Sequence, residues 1–135
     1  MSYRIEEIEG IGPSFGQKLG AAGVVRTTDL LKRCGSAKGR KEISAATGID
    51  TSRLLKWANL ADLMRVKGVG RQFSELLEAA GVDTVKELKQ RNAENLAARM
   101  KEVNAAKRLS RSVPSSGQVK NWVEQAKSLR AVISH

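Results

Sequence analysis

Five consecutive residues, Lys67-Gly68-Val69-Gly70-Arg71, have the types and spacing to hold a phosphate. Glycines reach backbone angles closed to other residues and carry no Cβ to block a close approach. A tight turn that runs straight into a helix leaves the first helical N–H groups without intrahelical partners. Those donors, with the positive end of the helix dipole, suit an anionic oxygen. Val69, between the glycines, is expected to turn inward and pin the loop to the core. Lys67 and Arg71 bracket the turn and would add charge-assisted contacts. A turn of this kind grips backbone phosphate, not base edges, so recognition through it would be largely independent of base sequence.

A second such turn, Gly10-Ile11-Gly12, lies between Glu9 and Pro13, with Glu6 and Glu7 just upstream. Carboxylates beside a phosphate site repel it, so hairpin 1 (residues 9–13) is the weaker candidate and hairpin 2 (residues 67–71) the stronger. Lys18 and the segment Lys38-Gly39-Arg40-Lys41, read as a loop, could still contribute to the first. A further basic cluster is formed by Lys107, Arg108 and Arg111.

Residues for catalysis are scarce. The single histidine, His135, stands at the C-terminal end, and the single cysteine, Cys34, has no second Cys or His nearby in sequence. No metal-ligand spacing, P-loop, nucleophile elbow or dinucleotide fingerprint occurs. The chain is therefore expected not to be an enzyme, with no catalytic residue, metal or cofactor called for. A lone cysteine cannot close an internal disulfide and fits a reducing compartment.

The elements that must position these residues come from 135 residues that are 41% hydrophobic and only 4% aromatic, so Leu, Val, Ile and Ala must build the core. A formal net charge of +10 and a pI near 10.2 point to a polyanionic partner such as nucleic acid, or to an anionic membrane surface. The excess is spread over both halves: residues 1–65 carry net +4 and residues 66–135 net +6. No apolar run approaches the length of a membrane span. The acidic start, MSYRIEEIEG, reads as neither a secretory signal nor a transit peptide, so a cytoplasmic location is expected.

Self-comparison exposes a repeat. Residues 8–24 (IEGIGPSFGQKLGAAGV) and 66–82 (VKGVGRQFSELLEAAGV) share eight of 17 aligned residues. The match returns between residues 54–65 and 119–130, with Trp57 opposite Trp122; the offset grows from 58 to 65 residues. The two tryptophans fall at equivalent places on amphipathic helices, which favours core packing over base stacking. The chain reads as a tandem duplication with repeats at 1–65 and 66–135, and as all-α throughout.

Expected elements begin with a short helix over roughly 3–8 and one opened by Pro13, where the missing N–H is no loss. That helix ends at a left-handed Gly23. Thr27 or Thr28 is expected to cap a helix ending before Gly35, and Thr84-Val85-Lys86-Glu87 reads as a capping box for its counterpart. Helices follow near 39–47 and 93–109. Asp50 or Thr51 is expected to cap the last helix of the first repeat, and Ser115 or Ser116 that of the second.

The order helix, Gly-hydrophobic-Gly, helix resembles the helix-hairpin-helix superfamily, met here by Ile8 to Leu19 and by Val66 to Leu77. Residues 46–58 and, more weakly, 112–123 look like a second, degenerate hairpin in each copy. Such paired hairpins resemble the small N-terminal domain of archaeal and eukaryotic recombinases. The whole chain resembles a bacterial family of duplicated helix-hairpin-helix proteins of unassigned function. The resemblance implies two tandem repeats of about five short helices each, SAM-like units packed into one assembly. It implies a DNA partner held through Gly10, Ile11 and Gly12 and, more strongly, through Gly68, Val69 and Gly70. It also allows a monovalent cation held by hairpin carbonyls. The alternative is a helical adaptor that docks another protein without nucleic acid.

Overall fold

Short runs with apolar residues three and four apart, punctuated by glycine, proline and capping side chains, fold as helices. The computed structural model describes residues 2–135, and every regular element among them is helical. A 3-10 turn, Ile5–Glu7, precedes α1 (Pro13–Ala21), α2 (Thr27–Cys34), α3 (Ala37–Thr47) and α4 (Thr51–Leu63). After these come α5 (Arg71–Ala79), α6 (Val85–Leu88), α7 (Ala93–Lys107) and α8 (Ser116–Lys127). The all-α class expected from the sequence is the observed one.

The described residues divide into two units. One runs up to Asp62 and includes Val132–His135; the other is Leu63–Ala131. In the first, α2 packs on α3, and α1 packs on the 3-10 turn. Its fully buried side chains include Ile5, Ile8, Leu19, Leu30, Ile43 and Leu54. In the second, α7 packs on α8 and α5, and α6 on α8, around Val66, Val69, Leu76, Leu77, Leu88 and Met100. Each such side chain contributes about 1.5–3 kcal/mol by leaving water.

Residues 132–135, read from the sequence as the end of the second half, belong to the first unit for an identifiable reason. The Arg40 guanidinium donates to the Ser134 carbonyl at 2.7 Å, and the Ser134 N–H donates to the Gly35 carbonyl at 2.8 Å.

Several local expectations change. The helix expected over 3–8 is only a 3-10 turn, because its start is drawn into an extended pairing with residues 25–27. Ile5 N–H donates to the Val25 carbonyl at 3.0 Å, and Thr27 N–H to the Tyr3 carbonyl at 2.8 Å. Thr27 does not cap α2; it is buried, and its hydroxyl accepts the Tyr3 N–H at 3.1 Å. The cap is Asp29, whose carboxylate accepts the N–H groups of Arg26 and Val25 at 2.9 and 3.1 Å. Those two bonds, the Arg26 one foremost, hold its pKa below the ordinary aspartate value. Thr84 is at the N-cap of α6 but makes no capping bond; its hydroxyl turns to Asp83 at 3.5 Å. Ser115, one of the two serines expected to cap the last helix, does so, and through a reciprocal box not read from the sequence. Its hydroxyl accepts the Gln118 N–H at 3.1 Å, and the Gln118 side chain accepts the Ser115 N–H at 3.0 Å.

Candidate nucleic-acid interface

Hairpin 2 begins where the chain leaves α4 and ends at the first residue of α5. Val66 and Val69 are fully buried, and the Val69 N–H donates to the Val66 carbonyl at 3.1 Å, which closes the turn. The expectation that Val69 pins the loop from inside is met. Between them Gly68 takes a φ of +95°, and a Cβ there would stand 3.1 Å from the Trp122 indole nitrogen. Gly70 differs. It is the N-cap of α5 with a φ of −104°, and a Cβ there would meet nothing within 4 Å. One glycine makes the turn; the other leaves open space in front of the helix.

The Lys67 peptide is clamped on both sides. Gln125, on α8, accepts the Lys67 N–H at 2.9 Å and donates to its carbonyl at 3.2 Å. Asn121, one turn back, orients that amide by accepting from its nitrogen at 2.7 Å. The Lys67 N–H is thus occupied within the chain, so the donors facing outward belong to the start of α5. The first i to i−4 bond of α5 is Ser74 N–H to the Gly70 carbonyl, at 2.9 Å. The N–H groups of Gln72 and Phe73 therefore lie in the first turn, ahead of that bond. The side chains of Lys67 and Arg71 are both exposed.

Hairpin 1 has the same backbone. Ile11 N–H donates to the Ile8 carbonyl at 3.2 Å, Ile11 is buried, and Gly10 has a φ of +93° with the Trp57 indole nitrogen 3.3 Å from a Cβ placed there. Each tryptophan is buried and meets a phenylalanine, Phe15–Trp57 at 5.1 Å and Phe73–Trp122 at 5.2 Å between ring centroids. The electrostatics differ. Pro13 offers no N–H where Arg71 offers one. The Glu6 carboxylate lies over the first turns of α1, with an oxygen 3.2 Å from a Cβ built on Gly16. Two cations do approach this hairpin: Lys18 Nζ is 5.9 Å and the Arg53 guanidinium 5.0 Å from the Phe15 ring centre. Arg53 was not legible as a candidate, since nothing in sequence ties position 53 to position 15.

Lys38, Arg40 and Lys41 are not on a loop; all three ride the first turns of α3. Lys38 and Lys41 are exposed, but Arg40 is only 4% exposed. Its guanidinium donates to the carbonyls of Cys34, Gly35 and Ser134 at 3.0, 3.1 and 2.7 Å. A guanidinium satisfied by three carbonyls inside the fold has no free face for a phosphate, so Arg40 is a structural residue. Arg40 and Lys41 line an open depression of about 220 Å³ with Ala37, Thr51, Ser52 and Leu55. Cys34 is fully buried, and burial pushes its thiol up to about 11.

A family model described as a domain of unknown function, DUF4332, matches residues 9–129. The chain belongs to that family. The DUF4332 match spans both Gly-hydrophobic-Gly turns and both tryptophans. It stops short of Ser134, the partner of Arg40. No curated protein and no solved structure matches the chain.

Gln125 and Gln72 are the functional candidates that sequence reading missed. Gln125 is 58 residues from the peptide it clamps, and Gln72, beside Arg71, accepts from Ser110 and Arg111. A neutral amide carries no signature of such long-range contacts. Among the described residues, no helix is long and apolar enough to cross a membrane.

Proposed function

We propose that this chain is a non-catalytic, largely sequence-independent DNA-binding protein that holds the phosphate backbone mainly through hairpin 2. The observation that carries the reading is the placement of exposed Lys67 and Arg71 on a turn whose backbone is already fixed. Gln125 holds the Lys67 peptide, Trp122 backs Gly68, and α5 begins at Gly70. A preset turn loses little freedom when it meets a ligand, so more of the contact energy appears as affinity. Hairpin 1 has the same turn but a carboxylate over its helix and a proline at its first position, and it serves the scaffold first.

The reading includes a tandem duplication of a helix-hairpin-helix unit at 1–65 and 66–135. Support comes from the matched internal geometry of the two turns, glycine for glycine and indole for indole. The departures fall where function would differ: Gln125 aligns with buried Leu60, and Lys67 with Glu9. The adaptor alternative would call for a contiguous exposed apolar face. Among the described residues the exposed large apolar ones are three valines, Val25, Val113 and Val132, too few for such a face.

The test is a salt titration of binding to duplex, single-stranded and branched DNA. Wild type should bind with a Kd in roughly the 1–100 µM range near physiological salt, weakening steeply as salt rises. Lys67→Glu or Arg71→Glu should weaken binding and flatten the log–log salt slope by about one for each phosphate no longer held. Binding indifferent to both changes would remove hairpin 2 from the site.

A further inference from the structure

Hairpin 2 is tied to a second basic segment. The Gln72 side-chain oxygen, in the first turn of α5, accepts the Arg111 N–H at 3.0 Å and the Ser110 hydroxyl at 3.2 Å. Asn104, on α7, closes the same loop from the other side. Its carbonyl oxygen accepts the Ser110 N–H at 2.9 Å, and its amide donates to the Ser110 carbonyl at 3.0 Å. The start of the α7–α8 connection is therefore anchored beside Arg71. It presents Lys107, Arg108 and Arg111, all exposed, and none of the three enters an ion pair among the described residues.

Two details make this more than a solvated charge run. The tether uses neutral amides at Gln72 and Asn104, so no carboxylate is brought in to offset the arginines. Arg108 also takes a left-handed conformation, φ 53° and ψ 49°, at the C-cap of α7. Glycine or asparagine adopts that conformation most readily. An arginine stands there instead, with its guanidinium in solvent.

We infer that residues 107–111 form a second arm of the DNA site, in which Arg108 and Arg111 take phosphates neighbouring the one held by hairpin 2. Gln72 is the positioning residue that fixes the distance between the two arms. The inference rests on the reading of hairpin 2 given above and extends its footprint from one turn to two elements.

Anisotropy of a short labelled DNA duplex with the full chain, between about 50 and 200 mM salt, tests it. Arg108→Gly is the informative variant, because glycine suits the left-handed position and the fold should be at least as stable. Arg108→Gly and Arg111→Ala should each weaken binding and flatten the salt slope by about one. Gln72→Ala keeps the net charge and should still weaken binding, whereas Lys86→Ala, a charge removed from α6, should leave the slope nearly unchanged. If the two arginine variants match Lys86→Ala while Lys67→Glu still weakens binding, the second arm falls and hairpin 2 stands. If wild type shows no salt-dependent binding to the duplex, hairpin 2 falls and takes the second arm with it.

Discussion

Replacing each glycine of hairpin 2 by alanine should separate what the turn does for the fold from what it does for a ligand. At Gly68 the φ of +95° lies in the region that disfavours a Cβ, at about 1–2 kcal/mol. The added methyl would also stand 3.1 Å from the Trp122 indole nitrogen, closer than an ordinary contact. Trp122 is 2% exposed and braced against Phe73, so it has little room to retreat. Overpacking of this kind adds about 1–3 kcal/mol. A smaller unfolded-state entropy offsets about 0.4–1 kcal/mol. The net destabilisation for Gly68→Ala is about 1–4.5 kcal/mol. At Gly70 the φ is −104° and the space is open. There the entropic gain and the poorer N-cap of alanine nearly cancel, leaving a change within about 0.5 kcal/mol. Urea unfolding followed by tryptophan fluorescence reads both, with a midpoint loss for Gly68→Ala of roughly 0.5–2 M at a typical slope. Gly70→Ala should fold as wild type yet bind DNA more weakly, because its methyl fills the approach to the first turn of α5. Equal destabilisation by the two substitutions would refute the division of labour, and so would unimpaired DNA binding by a folded Gly70→Ala.

Two further outcomes follow from the first unit. Asp29 has its pKa lowered in the folded state, so its stabilisation is fully present above the ordinary aspartate range and is lost as pH falls through and below it. Asp29→Asn should therefore lower the melting temperature at pH 7, with the gap to wild type narrowing as pH falls below the ordinary aspartate value; a gap that stays constant as pH falls would exclude the carboxylate as the cause. Arg40→Ala removes three hydrogen bonds, to the carbonyls of Cys34, Gly35 and Ser134, at about 1 kcal/mol each, and should lower the melting temperature by roughly 10 °C. Arg40→Lys should not restore it, because an ammonium lacks the planar fork that reaches all three; full recovery would show that charge alone suffices.

The legible parts of this molecule were those written in local sequence. Pro13 opens α1, Gly23 and Gly81 take the left-handed angles expected after a helix (φ +86° and +98°), and Ser115 caps α8. Each is a contest between neighbours a few residues apart, which short-range rules describe. Thr27 shows where those rules fail. By composition it should cap a helix, but Tyr3, 24 residues earlier, takes its hydroxyl, and Asp29 caps instead. Arg40 failed for the same reason on a larger scale. In sequence it is one of three cations in four residues; in the fold it is buried and donates to a carbonyl 94 residues away.

The sequence by itself determined the all-α class, the two Gly-hydrophobic-Gly turns, and the charge contrast between Glu9-Pro13 and Lys67-Arg71. It could do so because backbone angles, capping and helical periodicity are set by residues within a turn or two of one another. Which cations are available was decided by tertiary structure. Folding buried Arg40, brought Arg53 over Phe15, held Lys67 through Gln125, and drew Arg111 to Gln72. Those outcomes depend on which helices pack together, and a side chain's partners across such a contact leave no periodic or local trace in the order of residues.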